Sequence, residues 1–173
     1  MTFLIISIIT ISILGTLAHF IYDLSNHNII VGLFTAVNES TWEHIKIALT
    51  PTIIWSLLDG LIYGKNPNYF FAKDISLISI IILMPLLYYG YKYITNKENF
   101  IFNILSFYIV IICSQLLFHY ILNIPPISFK LKYISCIILF IIFGCYLLLT
   151  LLPLKNFIFK DPITKKYGYN AHS

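Results

Sequence analysis

The chain has 173 residues, of which 59% are hydrophobic and only 10% are charged. A soluble domain carries about 25% charged residues, so this chain has too few charges to cover a water-facing surface and is expected to fold in a lipid bilayer. Its net charge of +4 comes from lysine alone, because the sequence contains no arginine. Nucleic-acid binding would require basic and aromatic residues clustered on an exposed face, and the sequence shows no such cluster.

The distribution of apolar residues predicts one transmembrane domain, residues 1–173, that folds as an all-α polytopic bundle. A bilayer core about 30 Å thick requires roughly 20 apolar residues per helix, and stretches of that length predict about five spanning helices. In chain order they cover about 3–22, 38–63, 75–94, 100–122 and 131–152. Pro51 removes a backbone donor inside the second helix and is predicted to kink it. The short apolar run that precedes this helix either lies at the membrane interface or re-enters the bilayer, and both alternatives stay open.

Lysine placement predicts how the bundle is oriented. The side that carries the tail, residues 154–173, has six lysines against four on the other side: Lys92, Lys97, Lys155, Lys160, Lys165 and Lys166 against Lys65, Lys73, Lys130 and Lys132. Cytoplasmic loops of membrane proteins are enriched in lysine. We therefore expect a multi-pass protein of the plasma membrane with its N-terminus outside and a short basic cytoplasmic tail, whose first partner is the lipid bilayer.

Residues 37–46 are the most unusual part of the sequence, because they place two acids, an imidazole, a lysine and a tryptophan where an apolar helix begins. An ionisable side chain at membrane depth costs about 2.5 kcal/mol or more, so such residues usually face the interior of a bundle and pair. Polar residues near the end of the first helix are expected close by. The candidate polar site therefore consists of His19, Asp23, Asn38, Glu39, Trp42, Glu43, His44 and Lys46.

Two interpretations of this segment stand side by side. In the first it is a helix cap: Ser40 caps the first turn, Glu43 reaches back to it, and Trp42 lies in the membrane interface. In the second it is a functional site, because Glu39, Glu43 and Lys46 are spaced i, i+4 and i+7 and would share one stripe of the helix.

A secondary polar stripe is predicted in the fourth helix, where Gln115, His119 and Asn123 are spaced i, i+4 and i+8. A stripe this polar is not expected to face lipid. The predicted orientation places it near the side opposite to His19, so the two sets form one site only if the segment at 29–46 re-enters the bilayer.

Three segments give the chain a resemblance to an uncharacterised family of small multi-spanning bacterial membrane proteins of the clostridial type. Residues 15–25 match the family's first helix, and residues 31–46 carry a signature, N-E-S-x-W-E-H-x-K, that runs from Asn38 to Lys46. Residues 160–168 resemble its closing motif, although this chain is more basic near Lys165. The resemblance implies a bacterial membrane protein and the position of a site, but no activity.

Three classes of function are compatible with these features. The first is binding or transport of a small solute, an ion or a lipid, for which polar residues beside a broken helix are typical; in so short a chain it would require a homo-oligomer. The second is a membrane-embedded enzyme that uses His and Glu for acid–base or metal chemistry, although no metal-binding spacing such as H-E-x-x-H occurs. The third is a non-catalytic structural or interaction protein. The residues assign no catalytic role, metal or cofactor.

Overall fold

The computed structural model describes residues 1–169, and within them the chain is helical. Six helices follow one another: α1 (Thr2–Leu24), α2 (Ile29–Gly32), α3 (Thr41–Tyr63), α4 (Tyr69–Thr95), α5 (Phe100–Leu122) and α6 (Phe129–Leu151). All but α2 are long and apolar enough to cross a membrane. At 1.5 Å per residue a 23-residue helix is about 35 Å long, which exceeds a hydrocarbon core of about 30 Å. The predicted fold class and the number of spanning helices are confirmed.

The spanning helices alternate in direction and thereby define two membrane faces. The tail face holds the end of α1, the start of α3, the connection between α4 and α5, and residues 152–169. The opposite face holds the start of α1 and the connections from α3 to α4 and from α5 to α6. Every polar group described below belongs to one of these two faces or to the half of the bundle beneath it.

The centre of the bundle is α3, because 56% of the residues in its most apolar 18-residue stretch are buried, against 22% in α1 and in α6. α4 packs most extensively on α5 and also contacts α3 and α6, while α1 contacts α3 and α5. The exposed large side chains of α1 and α6 are mainly Ile, Leu and Phe. Such surfaces are expected where the solvent is lipid, so polar residues of α3 are the ones forced to find partners inside the protein.

Two helices begin three or more residues away from their predicted starts. α3 begins at Thr41 instead of residue 38, because the side chain of Asn38 accepts a hydrogen bond from the N–H of Ser40 at 2.8 Å and forms a turn there. α4 begins at Tyr69 instead of residue 75. Lys73 and Asp74 lower the hydropathy of this stretch, yet both side chains are buried within the bundle. Lys73, counted by the sequence analysis with the lysines outside the spanning helices, lies inside α4.

Asn68 fastens the two connections of the opposite face to each other. Its amide nitrogen donates to the carbonyl oxygens of Ile121 and Ile124 at 3.1 and 2.8 Å, and its oxygen accepts from the N–H of Ile127 at 2.9 Å. Only 1% of Asn68 is exposed. Since buried amide groups are costly without partners, these bonds fix how the α3–α4 hairpin lies against the α5–α6 hairpin.

The chain between α1 and α3 folds back into the bundle. Asn26 and His27 take positive φ angles of 53° and 59° and reverse the direction after α1, and Asn28 then caps α2 by accepting from the N–H of Ile30 at 2.9 Å. Further on, the N–H of Ala36 donates to a carbonyl of α1, that of Ala18, at 3.2 Å. Ala18 lies six residues before the end of α1, about 9 Å along the helix. Residues 29–40 therefore return along the last turns of α1. We call them the re-entrant segment, a name that denotes this return into the bundle and not a depth in the bilayer.

α3 continues through Pro51 as one helix, and the predicted kink stays a prediction. Because Pro51 has no N–H, the carbonyl of Ile47 loses its helical donor. A Cβ on Gly15 of α1 would lie 2.7 Å from this carbonyl oxygen and 2.6 Å from Cζ of Phe107. Only glycine at this position allows α1 to approach α3 so closely.

Candidate functional site

The innermost part of the candidate site is a buried ion pair on α3. Nζ of Lys46 lies 2.6 Å from Oε2 of Glu43, and the two residues are 0% and 2% exposed. The same carboxylate oxygen accepts from the N–H of Val37 at 3.0 Å, and Lys46 also donates to the carbonyl of Gly32 at 2.8 Å. The pair therefore clamps the re-entrant segment to α3, and both charges are used within the protein.

The predicted capping box does not form. Ser40 precedes the first turn of α3, but its hydroxyl makes no capping bond and has no partner within residues 1–169. Glu43 reaches back past Ser40 to the backbone of the re-entrant segment. Its carboxylate still lies in the first turn of α3, at the positive end of the helix dipole, so the electrostatic part of the capping interpretation applies.

Glu39 lies before the first turn of α3, so the predicted stripe holds only for Glu43 and Lys46. Its carboxylate instead lies between two imidazoles: Oε1 is 3.4 Å from Nε2 of His19, and Oε2 is 3.8 Å from Nε2 of His44. We call these three residues the His–Glu–His cluster. Its side chains are 26–45% exposed, so the cluster, unlike the ion pair behind it, is open to the tail face.

The geometry of the cluster determines which nitrogen faces the carboxylate. Nδ1 of His44 lies 3.0 Å from the carbonyl oxygen of Ser40. Because a carbonyl only accepts, Nδ1 carries a proton and Nε2 is the atom that faces Glu39. A carboxylate beside imidazoles is a combination of groups that general acid–base catalysis uses. Within residues 1–169, no three His, Cys, Asp or Glu side chains are placed to hold a metal ion.

Other residues predicted for a site lie apart from the cluster. Asp23 pairs with His27 on the surface, at 3.2 Å between the atoms. Asn123 is exposed and donates to the carbonyl of His119 at 2.7 Å. Gln115 is 0% exposed, and neither of its amide atoms has a hydrogen-bond partner within the described residues. The predicted stripe on α5 therefore runs from a buried residue to a surface residue beneath the opposite face, and it does not join the cluster.

The residues after α6 fold back onto the tail face. The N–H of Trp42 donates to the carbonyl of Ile158 at 2.9 Å, and the Trp42 ring packs on Phe159 with 5.0 Å between centroids. Trp42 is thus buried under the tail, and its predicted position in the membrane interface stays a prediction. Asn38 donates from its amide to the carbonyl of Gly168 at 3.0 Å. Of the predicted tail, residues 170–173 lie outside the described residues.

Asp161 organises the folded tail. Its carboxylate accepts from the N–H of Ile163 at 3.2 Å and from the N–H and the hydroxyl of Thr164 at 3.1 and 2.5 Å. Burial alone would raise the pKa of Asp161, but these bonds, together with the backbone N–H of Glu39, outweigh it and hold the pKa below its usual range. The three segments that carried the family resemblance thus meet at the tail face.

A cleft of about 240 Å³ opens there between the start of α3, the end of α4 and the folded tail. Three lysines, three acids and three hydroxyl side chains contribute to its lining: Lys92, Lys160, Lys165, Glu39, Glu98, Asp161, Thr41, Tyr88 and Tyr89. Lys92 lies 2.6 Å from Glu98, and Lys165 donates to a backbone carbonyl at 2.5 Å. The ammonium group of Lys160 has no partner within residues 1–169. Since Glu39 belongs to the lining, the cleft adjoins the His–Glu–His cluster.

A second polar centre, which the sequence analysis missed, lies beneath the opposite face. Asp59 of α3 and Lys73 of α4 form a buried ion pair, and the Lys73 ammonium lies 4.1 Å from the centroid of the Phe118 ring. A signal for this pair was present in the spacing. Asp59 is four residues before the end of α3 and Lys73 is four residues after the start of α4, so the turn of the hairpin brings them to equal depth.

Five apolar spans with two ion pairs buried between them define the class of this molecule: it is an integral, multi-pass α-helical membrane protein. The chain belongs to a family of unknown function, DUF6512, whose model matches residues 1–169. No curated protein and no solved structure matches the chain. Membership of an uncharacterised family is thereby confirmed, whereas the signature and the clostridial origin stay predictions.

Proposed function

We propose that this membrane protein binds a phosphate-bearing ligand in the cleft of the tail face. The observation that carries the proposal is Lys160, an exposed cation in the cleft lining whose ammonium has no partner within residues 1–169. A lysine ammonium has three donors and binds phosphate as a point charge. Lys92 and Lys165 each engage one acceptor on the protein, which leaves further donors in the same cleft.

The position of the cleft suits the headgroup of a phospholipid as well as a small phosphorylated solute. The cleft lies where α3 begins and α4 ends, which is the boundary between hydrocarbon and water in a bundle of this length. Lipid phosphates of the same leaflet lie at that depth. The chemistry shared by both sources is the phosphate group, and the experiment below separates them.

The lysine distribution supports a cytoplasmic tail face. With Lys73 inside α4, the opposite face has fewer loop lysines than the sequence alone indicated, so the bias toward the tail face is larger. Anionic lipids of the cytoplasmic leaflet attract basic segments by about 1 kcal/mol per lysine. This orientation places the cleft among the lipids that its lysines would bind.

The two buried ion pairs favour binding over ion conduction. Glu43 and Lys46 compensate each other's charge, as do Asp59 and Lys73. Breaking either pair would leave an uncompensated buried charge at a cost of about 3–5 kcal/mol. Groups held this tightly are poor relay points for a moving ion, whereas the half-exposed cleft is accessible without any rearrangement of the bundle.

The test compares Lys160→Met with Lys130→Met, an exposed lysine at the opposite face. Each protein, purified in a neutral detergent, is titrated with a short-chain phosphatidylglycerol and, separately, with glycerol 3-phosphate, by isothermal calorimetry. We expect Lys160→Met to weaken binding at least tenfold, about 1.4 kcal/mol, and Lys130→Met to leave it unchanged.

The two titrations also identify the source of the phosphate. Binding of the phospholipid alone indicates a headgroup, and binding of glycerol 3-phosphate indicates a solute. No binding of either probe, or equal weakening in both variants, refutes the proposal. The melting temperature of each variant shows that the folded state is retained.

A second candidate function is acid–base catalysis on the bound ligand, favoured by the contact between the cleft and the His–Glu–His cluster. Glu39→Gln removes the base between the imidazoles, while Glu98→Gln changes an acid elsewhere in the same cleft. If the cluster is catalytic, Glu39 takes a proton from a water molecule that attacks the phosphorus of glycerol 3-phosphate, the phosphorus–oxygen ester bond breaks, and glycerol leaves with a proton. Release of inorganic phosphate from this probe is then lost in Glu39→Gln and kept in Glu98→Gln. No release by the unaltered protein eliminates this candidate.

A further inference from the structure

A lateral groove of about 490 Å³ lies between α3, α4 and α6, in the half of the bundle beneath the opposite face. It has roughly twice the volume of the tail-face cleft. α6 packs on α4, and the groove lies beside this contact, toward α3. Unlike the cleft, the groove is lined mainly by Ile, Leu and Phe.

The polar residues of the groove lining are confined to its shallow part, which also contains Phe70. The shallow part is lined by Tyr69, Lys73 and Ser56. Measured along each helix from its end at the opposite face, they lie at depths of about 0, 6 and 10 Å. The deep part is formed by Leu139 and Phe143, at about 15 and 21 Å. This order of groups matches a lipid, whose ester region lies near the interface and whose chain extends toward the middle of the bilayer.

The charge of the shallow part restricts the group that can lie there. Among the described residues Lys73 is the only cation in the lining, and Asp59 already compensates its charge. Lys132 lies outside the lining, with its ammonium 5.7 Å from the centroid of the Phe70 ring. A second anion would bring an uncompensated charge to membrane depth, which is costly. A neutral oxygen adds no charge, and it can accept a hydrogen bond from a lysine, which has three donors.

We propose that the groove holds one acyl chain of a glycerolipid from the leaflet of the opposite face, with its ester carbonyl beside Lys73. The acyl chain covers the apolar wall of the groove. Each of its methylene groups that contacts Leu139 or Phe143 adds dispersion attraction. The site is in the other leaflet from the cleft and is independent of the ligand proposed there.

Two cysteines of α6 provide a matched test. Cys136 lines the groove, whereas Cys145 is exposed on the same helix and is not part of the lining. Cys136→Trp fills the groove with an indole ring, and Cys145→Trp places the same ring toward lipid. Each protein is extracted in a mild detergent, and its bound lipids are counted by native mass spectrometry.

We expect the unaltered protein and Cys145→Trp to retain one glycerolipid, and Cys136→Trp to lose at least nine-tenths of it. Equal retention or equal loss in the two variants overturns the proposal, as does a fatty acid or an isoprenoid in place of the glycerolipid. A dimer that carries no lipid, and that Cys136→Trp dissociates, would show that a second copy fills the groove.

A second pair of variants covers the case in which Cys136→Trp does not fold. Leu139→Phe enlarges a groove residue, and Ile137→Phe enlarges a lipid-facing residue of the same helix that is 59% exposed. Loss of the bound lipid in Leu139→Phe alone supports the assignment, and equal lipid content in both contradicts it.

Discussion

Replacing Lys46 by methionine leaves the carboxylate of Glu43 buried without its cation. Glu43 is 2% exposed and lies 2.6 Å from the Lys46 ammonium, so no water is available to take over the contact. Removing one partner of such a pair costs about 3–5 kcal/mol. For a domain of this size each kcal/mol shifts the melting temperature by about 2–4 °C, which gives an expected loss of about 6–20 °C in Lys46→Met.

The assay is thermal unfolding in detergent micelles, followed by tryptophan fluorescence. Lys92→Met is the matched control, because Lys92 makes an ion pair of the same length, 2.6 Å, with Glu98 while both side chains are about half exposed. Exposed pairs contribute about 0–1 kcal/mol, so this control should melt within about 4 °C of the unaltered protein.

A double variant separates the cost of a lone charge from the loss of contacts. In Glu43→Gln with Lys46→Met no charge stays buried, and the glutamine oxygen still accepts from the N–H of Val37. We expect the double variant to recover at least half of the stability that Lys46→Met loses. The reasoning fails if Lys46→Met melts like Lys92→Met, or if the double variant is no more stable than the single one.

Further predictions concern backbone contact and the tail. Gly15→Ala should destabilise by about 1–3 kcal/mol through overpacking against α3, whereas Gly144→Ala, with no atom within 4 Å of the added Cβ, should be neutral or stabilising; thermal melts of the pair check this, and equal shifts would contradict the close contact. Asp161→Asn should release the tail, so trypsin should cleave it about tenfold faster for each 1.4 kcal/mol lost, with the spans intact. Folding lowers the pKa of Asp161, so its carboxylate stabilises the folded tail above the unfolded pKa of about 3.9. This stabilisation is lost as the pH falls through the lower folded pKa. Trp42 fluorescence that does not change over this fall in pH would contradict the linkage.

The membrane class could be predicted without knowing which residues contact each other. The partners of the charged side chains inside the protein could not. Length and hydropathy were sufficient for the five spans, because each apolar stretch must satisfy its own backbone in lipid. The starts of α3 and α4 were misplaced for different reasons. At α3 the local turn made by Asn38 delays the helix to Thr41, whereas at α4 the buried Lys73, whose partner Asp59 lies on α3, lowered the hydropathy of the first turns.

Pairing within the candidate site shows the same limit. Helical spacing correctly brought Glu43 to Lys46, since both lie on α3. It wrongly added Glu39, because the turn formed by Asn38 delays the start of α3 until after that residue. The contact of Glu39 with His19 joins residues 20 positions apart, and only the return of the re-entrant segment beside α1 creates it.

The amino-acid sequence by itself determined that this protein is a bundle of about five membrane-spanning helices and that residues 37–46 carry its most costly charges. These properties follow from the transfer of each side chain into lipid, which is a local quantity. Tertiary structure alone decided that one charge pair became a clamp, that Glu39 came to lie between two imidazoles, and that the tail closed a cleft over them. Each of these depends on which distant residue supplies the partner, and a buried charge is stabilised only by the group that reaches it.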